Sequence, residues 1–272
     1  MTTLGEEEFL NFLVGCWEKS PTHKIKVGEK ARQIKATSPD GKLFQVSSLA
    51  ECLDCYKWNS QSYAENEQQL SSLSNALRSA VGNGDEAELE AAFRGVYSWG
   101  KVPLSNISGA MLNKWYGSRQ LTKNLIDCLE IIETGFDLER FDGTDLFMNS
   151  GFTKVVSLAS DPKKPLIIYD GRVGAALGHL AVLAIKESGK QNLHPNLLFP
   201  WGAARMPGVN RNPSNGSVKF PNLFSGSAKS KHFRHAKAMH IASKIINNAA
   251  SKLPVSSRQL EAALFMWGYA VS

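Results

Sequence analysis

At 272 residues, 43% hydrophobic and 21% charged, the sequence is that of a globular chain, long enough for one large domain or two lobes around a shared core. Its net charge of +6 hides a segregation: 24 of the 25 acidic residues precede position 201, and Ser188–Leu260 holds none. No apolar run reaches the roughly 18–20 residues of a bilayer span, and the longest, Val173–Ile185, is interrupted at Gly178 and His179.

Met1–Glu8 has no basic segment leading into an apolar one, so no signal peptide is expected and the cytoplasm is the expected compartment. Phe9, Leu10, Phe12, Leu13 and Cys16 fall at helical spacing and predict an amphipathic helix over Glu6–Trp17. Between Ile25 and Val46 the pattern alternates around the turn signal Ser38-Pro39-Asp40-Gly41, which predicts a small N-terminal β-hairpin. Val46–Tyr56 reads as helix and carries Cys52-Leu53-Asp54-Cys55. Zinc would need two more ligands, and neither a second CxxC nor a close His pair follows. The cysteines are therefore expected to be reduced and structural, with no metal and no other cofactor.

Helical patterns then dominate. Glu65–Val81 carries Leu70, Leu73 and Leu77, and Asp85–Tyr97 opens with acids, as the helix dipole prefers. Arg119–Glu133 places Leu121, Leu125, Cys128, Leu129 and Ile132 on one stripe. Trp99, Trp115 and Tyr116 are expected in the core. Phe141–Ser160 continues the helical pattern, and within it Met148–Val156 reads as helix, tight turn, helix, with Gly151 supplying the turn backbone. Lys154 then lies in the first turn of the second helix, where a desolvated amine beside a positive helix end makes a better nucleophile.

Beyond the Asp161-Pro162-Lys163-Lys164-Pro165 loop, Leu166–Tyr169 runs apolar into Asp170, which is placed to cap a helix over Gly171–Glu187. In that helix Gly174, Ala175, Ala176 and Gly178 leave room for another segment to approach. On these residues alone two readings stand: a surface lysine and a helix cap, or two members of an active site. Gly189–Ser227 has no periodicity and is punctuated by Pro195, Pro200, Pro207, Pro213 and Pro221. Trp201, Phe220 and Phe224 within it argue for a functional loop rather than a disordered one. Helices over Lys229–Lys252 and Ser257–Trp267 close the chain, the second with Ser256 and Gln259 set for a capping box.

The acid-free stretch suits a polyanion, because neutralising phosphates releases counterions. A basic surface kept for solubility is the plainer alternative, and RNA or an anionic membrane matches the charge as well as DNA does.

Residues 141–180 resemble the helix-hairpin-helix superfamily of DNA glycosylases, most closely its 8-oxoguanine glycosylase-like branch. Ser150-Gly151-Phe152-Thr153 looks like the hairpin, Lys154 like the lysine of the bifunctional members, and Asp170 like the catalytic aspartate at a helix start. The run Ile168-Tyr169-Asp170-Gly171-Arg172-Val173-Gly174-Ala175-Ala176-Leu177 is also similar to bacterial proteins of this fold, some implicated in defence against phages with modified DNA. Two departures are visible: one glycine where the usual hairpin has two, and a shorter spacing from lysine to aspartate.

The resemblance implies a mainly α, two-lobed helical fold in one glycosylase-like domain over 1–272. The hairpin and catalytic segment would occupy 141–187, and a basic loop and DNA-binding region 188–260. The implied activity is excision of a damaged or modified base from double-stranded DNA by base flipping and N-glycosidic cleavage, with no cofactor, membrane or obligatory protein partner. Asp170 would stabilise positive charge on the sugar. Lys154 would displace the base and form a Schiff base, or leave that attack to water. Gly151, Thr153, Arg172, Arg205, Arg211, Lys229, Lys231, Arg234 and Lys237 are the expected DNA contacts, and Trp201 and Phe220 are candidates to stack on a base. Phage-type modified cytosines and 8-oxoguanine are the candidate bases. A non-catalytic helix-hairpin-helix DNA-binding module is the alternative. A tyrosine-recombinase-like enzyme is a further one, suggested by Lys231-His232-Phe233-Arg234-His235 with Tyr269 downstream. Its first arginine box and the Leu-Gly-His segment are not visible.

Overall fold

The computed structural model describes residues 2–19, 23–26, 43–204 and 208–271. In chain order these form β1 (Thr3–Leu4), α1 (Glu6–Gly15), β2 (His23–Lys26), β3 (Leu43–Val46), α2 (Leu49–Asp54), α3 (Tyr63–Asn83) and α4 (Glu86–Trp99). There follow α5 (Ile107–Gly117), α6 (Leu121–Thr134), α7 (Phe152–Ala159), α8 (Gly171–Ser188), β4 (Asn192–Leu193), α9 (Ala228–Ala250) and α10 (Ser257–Trp267). The chain is mainly α, with ten α-helices among the described residues. β1 pairs in parallel with β4, and β2 pairs antiparallel with β3, His23 opposite Val46. The Ser38–Gly41 turn signal lies outside the described residues. Among them, no helix is long and apolar enough to cross a membrane.

Local chemistry sets the helix ends. Asp85 accepts from the amides of Ala87 and Glu88, and Asn106 from those of Ser108 and Gly109, satisfying donors that a helix start leaves open. Ser256 and Gln259 close the expected capping box. Gly135 and Gly189 end α6 and α8 at φ 74° and 67°, where a Cβ would be strained. Helix α5 escaped the periodicity reading because its apolar residues do not form one stripe. Ile107 and Tyr116 are 54% and 41% exposed while Met111, Leu112 and Trp115 are buried, so Tyr116 is not the core residue expected.

Two compact units divide the chain. The first comprises Met1–Asn66, Asp170–Ser225 and Lys244–Ser272. Its centre is α8, apolar almost all round and buried accordingly, packed against α10 and α1. The small residues of α8 do admit a neighbour: a Cβ on Gly178 would lie 2.6 Å from Pro213 Cγ of the long loop. Gly268, after α10, is closer still, for its Cβ would lie 1.9 Å from the Arg172 carbonyl oxygen.

The second unit comprises Glu67–Tyr169 and Gly226–Ser243. Phe152 of α7 lies in a cluster with Phe147 (4.9 Å between centroids, stacked), Trp115 (5.5 Å, edge-on) and Phe93 (5.9 Å). Each such pair contributes about 0.5–1.5 kcal/mol beyond area burial. All eight residues of α7 are buried. The segment before it corrects the sequence expectation, since 141–150 is irregular rather than helical. Asp142 takes the amides of Thr144 and Asp145 into a local turn, competing with helix as short polar side chains do.

Candidate active site

The hairpin of the second unit is organised by Asn149, a residue the sequence reading passed over. Its Oδ1 accepts from the amides of Gly151 (2.8 Å) and Phe152 (3.0 Å), capping α7 from two residues upstream of Gly151. Its Nδ2 donates to Ser108 Oγ at 3.0 Å, tying the turn to α5. An Asn just before a Ser-Gly pair and a helix was the available signal. Gly151 is not needed for a left-handed backbone, since its φ and ψ are −74° and −48°. It is needed for space: a Cβ would lie 2.9 Å from Val102 Cγ1 and 3.0 Å from Ser108 Oγ.

Lys154 is buried, and its ammonium donates to the Ser150 carbonyl at 2.8 Å. Its alkyl stem lies where a Cβ on Gly100 would be, 2.5 Å from Cδ. The buried Thr153 hydroxyl donates to the carbonyls of Ser150 (3.1 Å) and Tyr169 (3.3 Å). Thr153 was expected to touch DNA; with its hydroxyl turned inward it supports the turn instead. From α9, His235 Nε2 meets Ser150 Oγ at 3.1 Å, and His232 Nδ1 lies 2.7 Å from the Met148 carbonyl oxygen. Lys231 and Arg234 each precede one of these histidines and are partly exposed, and Lys229 and Lys237 are exposed.

Asp170 opens α8 in the first unit, as expected of an N-cap. One oxygen, Oδ1, accepts from both Arg172 N (2.8 Å) and Val173 N (3.1 Å). Among the described residues Oδ2 makes no hydrogen bond, and the residue is partly exposed. The Arg172 side chain is buried, its guanidinium 4.3 Å from the Phe265 ring centroid and 5.1 Å from that of Tyr269. This corrects its expected role as a DNA contact. Burial, followed by the nearby Arg211, pushes the Arg172 guanidinium down to about 10, while Asp170 pulls it back up. It remains charged at neutral pH. Arg211 Nε donates to the Tyr269 carbonyl at 3.1 Å, and burial lowers it while Asp170 raises it. Two cations and one carboxylate thus share this corner of the unit.

Other expectations divide cleanly. Phe220 is buried against Gly178, so its ring is not free to stack as expected from sequence, while Trp201 is partly exposed and its Nε1 donates to the Phe220 carbonyl. Tyr269 is 1% exposed, which removes the access a recombinase nucleophile needs. Arg205 lies outside the described residues. Burial, with Asp54 and Glu51 adding to it, pushes the Cys55 thiol up to about 11, and burial pushes Cys52 higher. Among the described residues no group of three His, Cys, Asp or Glu side chains could hold a metal ion.

Searches against protein-family models, curated proteins and solved structures found no match to the chain.

Proposed function

We propose that the chain is a DNA glycosylase of the helix-hairpin-helix superfamily, excising a modified or damaged base by hydrolysis at the sugar. The observation that carries this is Asp170: a carboxylate fixed at a helix start through one oxygen, with the other left for substrate. Such a group, oriented before reaction, stabilises positive charge developing on a deoxyribose. The C1′–N bond breaks and its electron pair leaves with the base. Water oxygen then bonds C1′, and a proton passes from that water to solvent or to the departing base.

Lys154 supports the water route over a Schiff base. Its ammonium is engaged by the Ser150 carbonyl, so covalent attack requires that bond to be given up and the proton lost. In this proposal Lys154 holds the hairpin in shape, while Lys229, Lys231, Arg234 and Lys237 supply phosphate contacts.

The test is base release from duplexes bearing glucosylated hydroxymethylcytosine, other modified cytosines or 8-oxoguanine, read as alkali-labile breaks. Asp170→Asn is expected to lower release roughly a hundredfold or more; full activity in that variant overturns the proposal. A non-catalytic DNA-binding module is the second reading, favoured by the fact that capping alone accounts for Asp170. It predicts salt-sensitive binding with no base released from any substrate.

A further inference from the structure

Arg211 carries a charge that the first unit uses only in part. Its Nε donates to the Tyr269 carbonyl at 3.1 Å, and among the described residues neither Nη nitrogen makes a hydrogen bond or an ion pair. The residue is partly exposed, and a guanidinium holds its remaining donors in a planar fork.

A second guanidinium lies against the same ring. Arg172 Cζ is 5.1 Å and Arg211 Cζ 5.9 Å from the Tyr269 centroid. Burial lowers both groups, Arg211 adds to the lowering of Arg172, and Asp170 pulls both back up. Glu261 of α10 is already paired with Arg258 at 2.8 Å. One negative charge thus serves two positive ones, and an excess of poorly solvated charge is costly unless something offsets it.

The long loop holds Arg211 in position. Val271 N donates to the carbonyl of the preceding residue, Asn210, at 2.8 Å. Two residues further on, Pro213 sits over Gly178 of α8. Earlier in the same loop Gly202 N donates to the Gly171 carbonyl at 3.3 Å, and a Cβ on Gly171 would lie 2.7 Å from the Gly202 Cα. Crossings on either side of Arg211 in sequence therefore seat the loop on α8. A guanidinium mounted this way has little freedom left to lose on binding.

We propose that Arg211, backed by Arg172, binds a singly charged phosphodiester, the one flanking the nucleotide on which Asp170 acts. A guanidinium fork matches two oxygens of one phosphate, and one negative charge is what this corner lacks. The choice of DNA as the source rests on the excision reading above; free inorganic phosphate presents the same oxygens. Binding also changes what Asp170 faces. Once phosphate neutralises Arg211, the carboxylate is left to a cation developing on the sugar.

The probe is a duplex with one unpaired nucleotide, in which the phosphodiester on its 5′ or its 3′ side is replaced by neutral methylphosphonate. One of these replacements should weaken binding by the parent chain about 10- to 100-fold. Arg211→Gln should bind the unmodified duplex more weakly by the same factor and no longer sense that replacement. Equal binding of the replaced duplex by variant and parent shows that the variant is folded. A second variant keeps the cation: Arg211→Lys, bound to a duplex with an amine-reactive pyrophosphate at that position, should cross-link through position 211. The proposal is overturned by a parent indifferent to both replacements, by equal losses of Arg211→Gln on every duplex, or by a cross-link mapped elsewhere. Inorganic phosphate that stabilises the parent but not Arg211→Gln against heat, with methylphosphonate silent, would give the fork to a free anion and overturn the DNA source. Base release by the parent is read separately. Phosphate dependence without release retires the excision chemistry and keeps the site; release without phosphate dependence does the reverse.

Discussion

The Thr153 hydroxyl donates to the Tyr169 carbonyl oxygen 3.3 Å away, one peptide bond before Asp170. The same hydroxyl donates to the Ser150 carbonyl at 3.1 Å, so one buried group fixes both the turn and the backbone leading to the candidate carboxylate. Thr153→Val keeps the shape and removes the donor. It is expected to cost about 1–3 kcal/mol, because the buried Tyr169 carbonyl loses a partner, while the Ser150 carbonyl keeps the Lys154 ammonium. A denaturant midpoint shift with unchanged slope measures it, and no shift would show that the hydroxyl is not shared as described.

Asp170 has two separable duties. As a cap, Asn serves nearly as well as Asp, whereas Ala costs about 1 kcal/mol. Asp170→Asn should therefore unfold within about 0.5 kcal/mol of the parent while Asp170→Ala falls below it. Thermal or urea unfolding of the two variants checks this; equal losses would mean that charge rather than capping dominates.

Glycine at 268 is expected to be irreplaceable. Its Cβ would lie 1.9 Å from a helix carbonyl oxygen, which cannot move aside without shifting α8. Gly268→Ala should cost about 3 kcal/mol or more. At Gly151 the nearest atom is instead a Val102 methyl at 2.9 Å, so Gly151→Ala should cost only about 1 kcal/mol. Soluble yield and unfolding midpoints rank the two.

The cysteines give a pH prediction. Raised thiol pKa values favour the protonated form in the folded chain, so this stabilisation is complete below 9.0, the ordinary value of a free thiol. It is lost as pH rises from there through about 11 for Cys55, and further for Cys52. At neutral pH the native thiols should resist iodoacetamide and become reactive only on unfolding. Rapid native alkylation of Cys55 at neutral pH would contradict this.

The cations of α9 should reveal themselves through salt. Each phosphate contact removed by Lys229→Gln, Lys231→Gln, Arg234→Gln or Lys237→Gln lowers the slope of log affinity against log salt by about 0.9. A full set of substitutions that leaves the slope intact would move the duplex to another surface.

Much of the helical framework was legible because burial imposes a period on sequence. The α6 stripe, the Asp170 cap and the Ser256–Gln259 box are local, and the residues that make them are neighbours along the chain. What stayed hidden depends on distant partners. Nothing in the sequence near Thr153 says that its hydroxyl will face Tyr169 O, or that His235 will reach Ser150. Phe220 and Phe224 are four residues apart and alike in type, yet one fills the space over Gly178 and the other stays in water. Asn149 was legible in principle: it outcompetes Gly151 as the cap by reaching two amides at once.

The contact of Gly268 with Arg172 joins main chain to main chain. Atoms common to every amino acid hold that crossing, so it is indifferent to the identity of surrounding side chains and sensitive to a single added methyl. Drift can rewrite the basic surface, the loop and the aromatic cluster while the seating of the helix that begins at Asp170 stays put. In distant relatives, the lasting signature of this arrangement would then be an absence of side chain at a few crossings, spaced as Gly171, Gly202 and Gly268 are here.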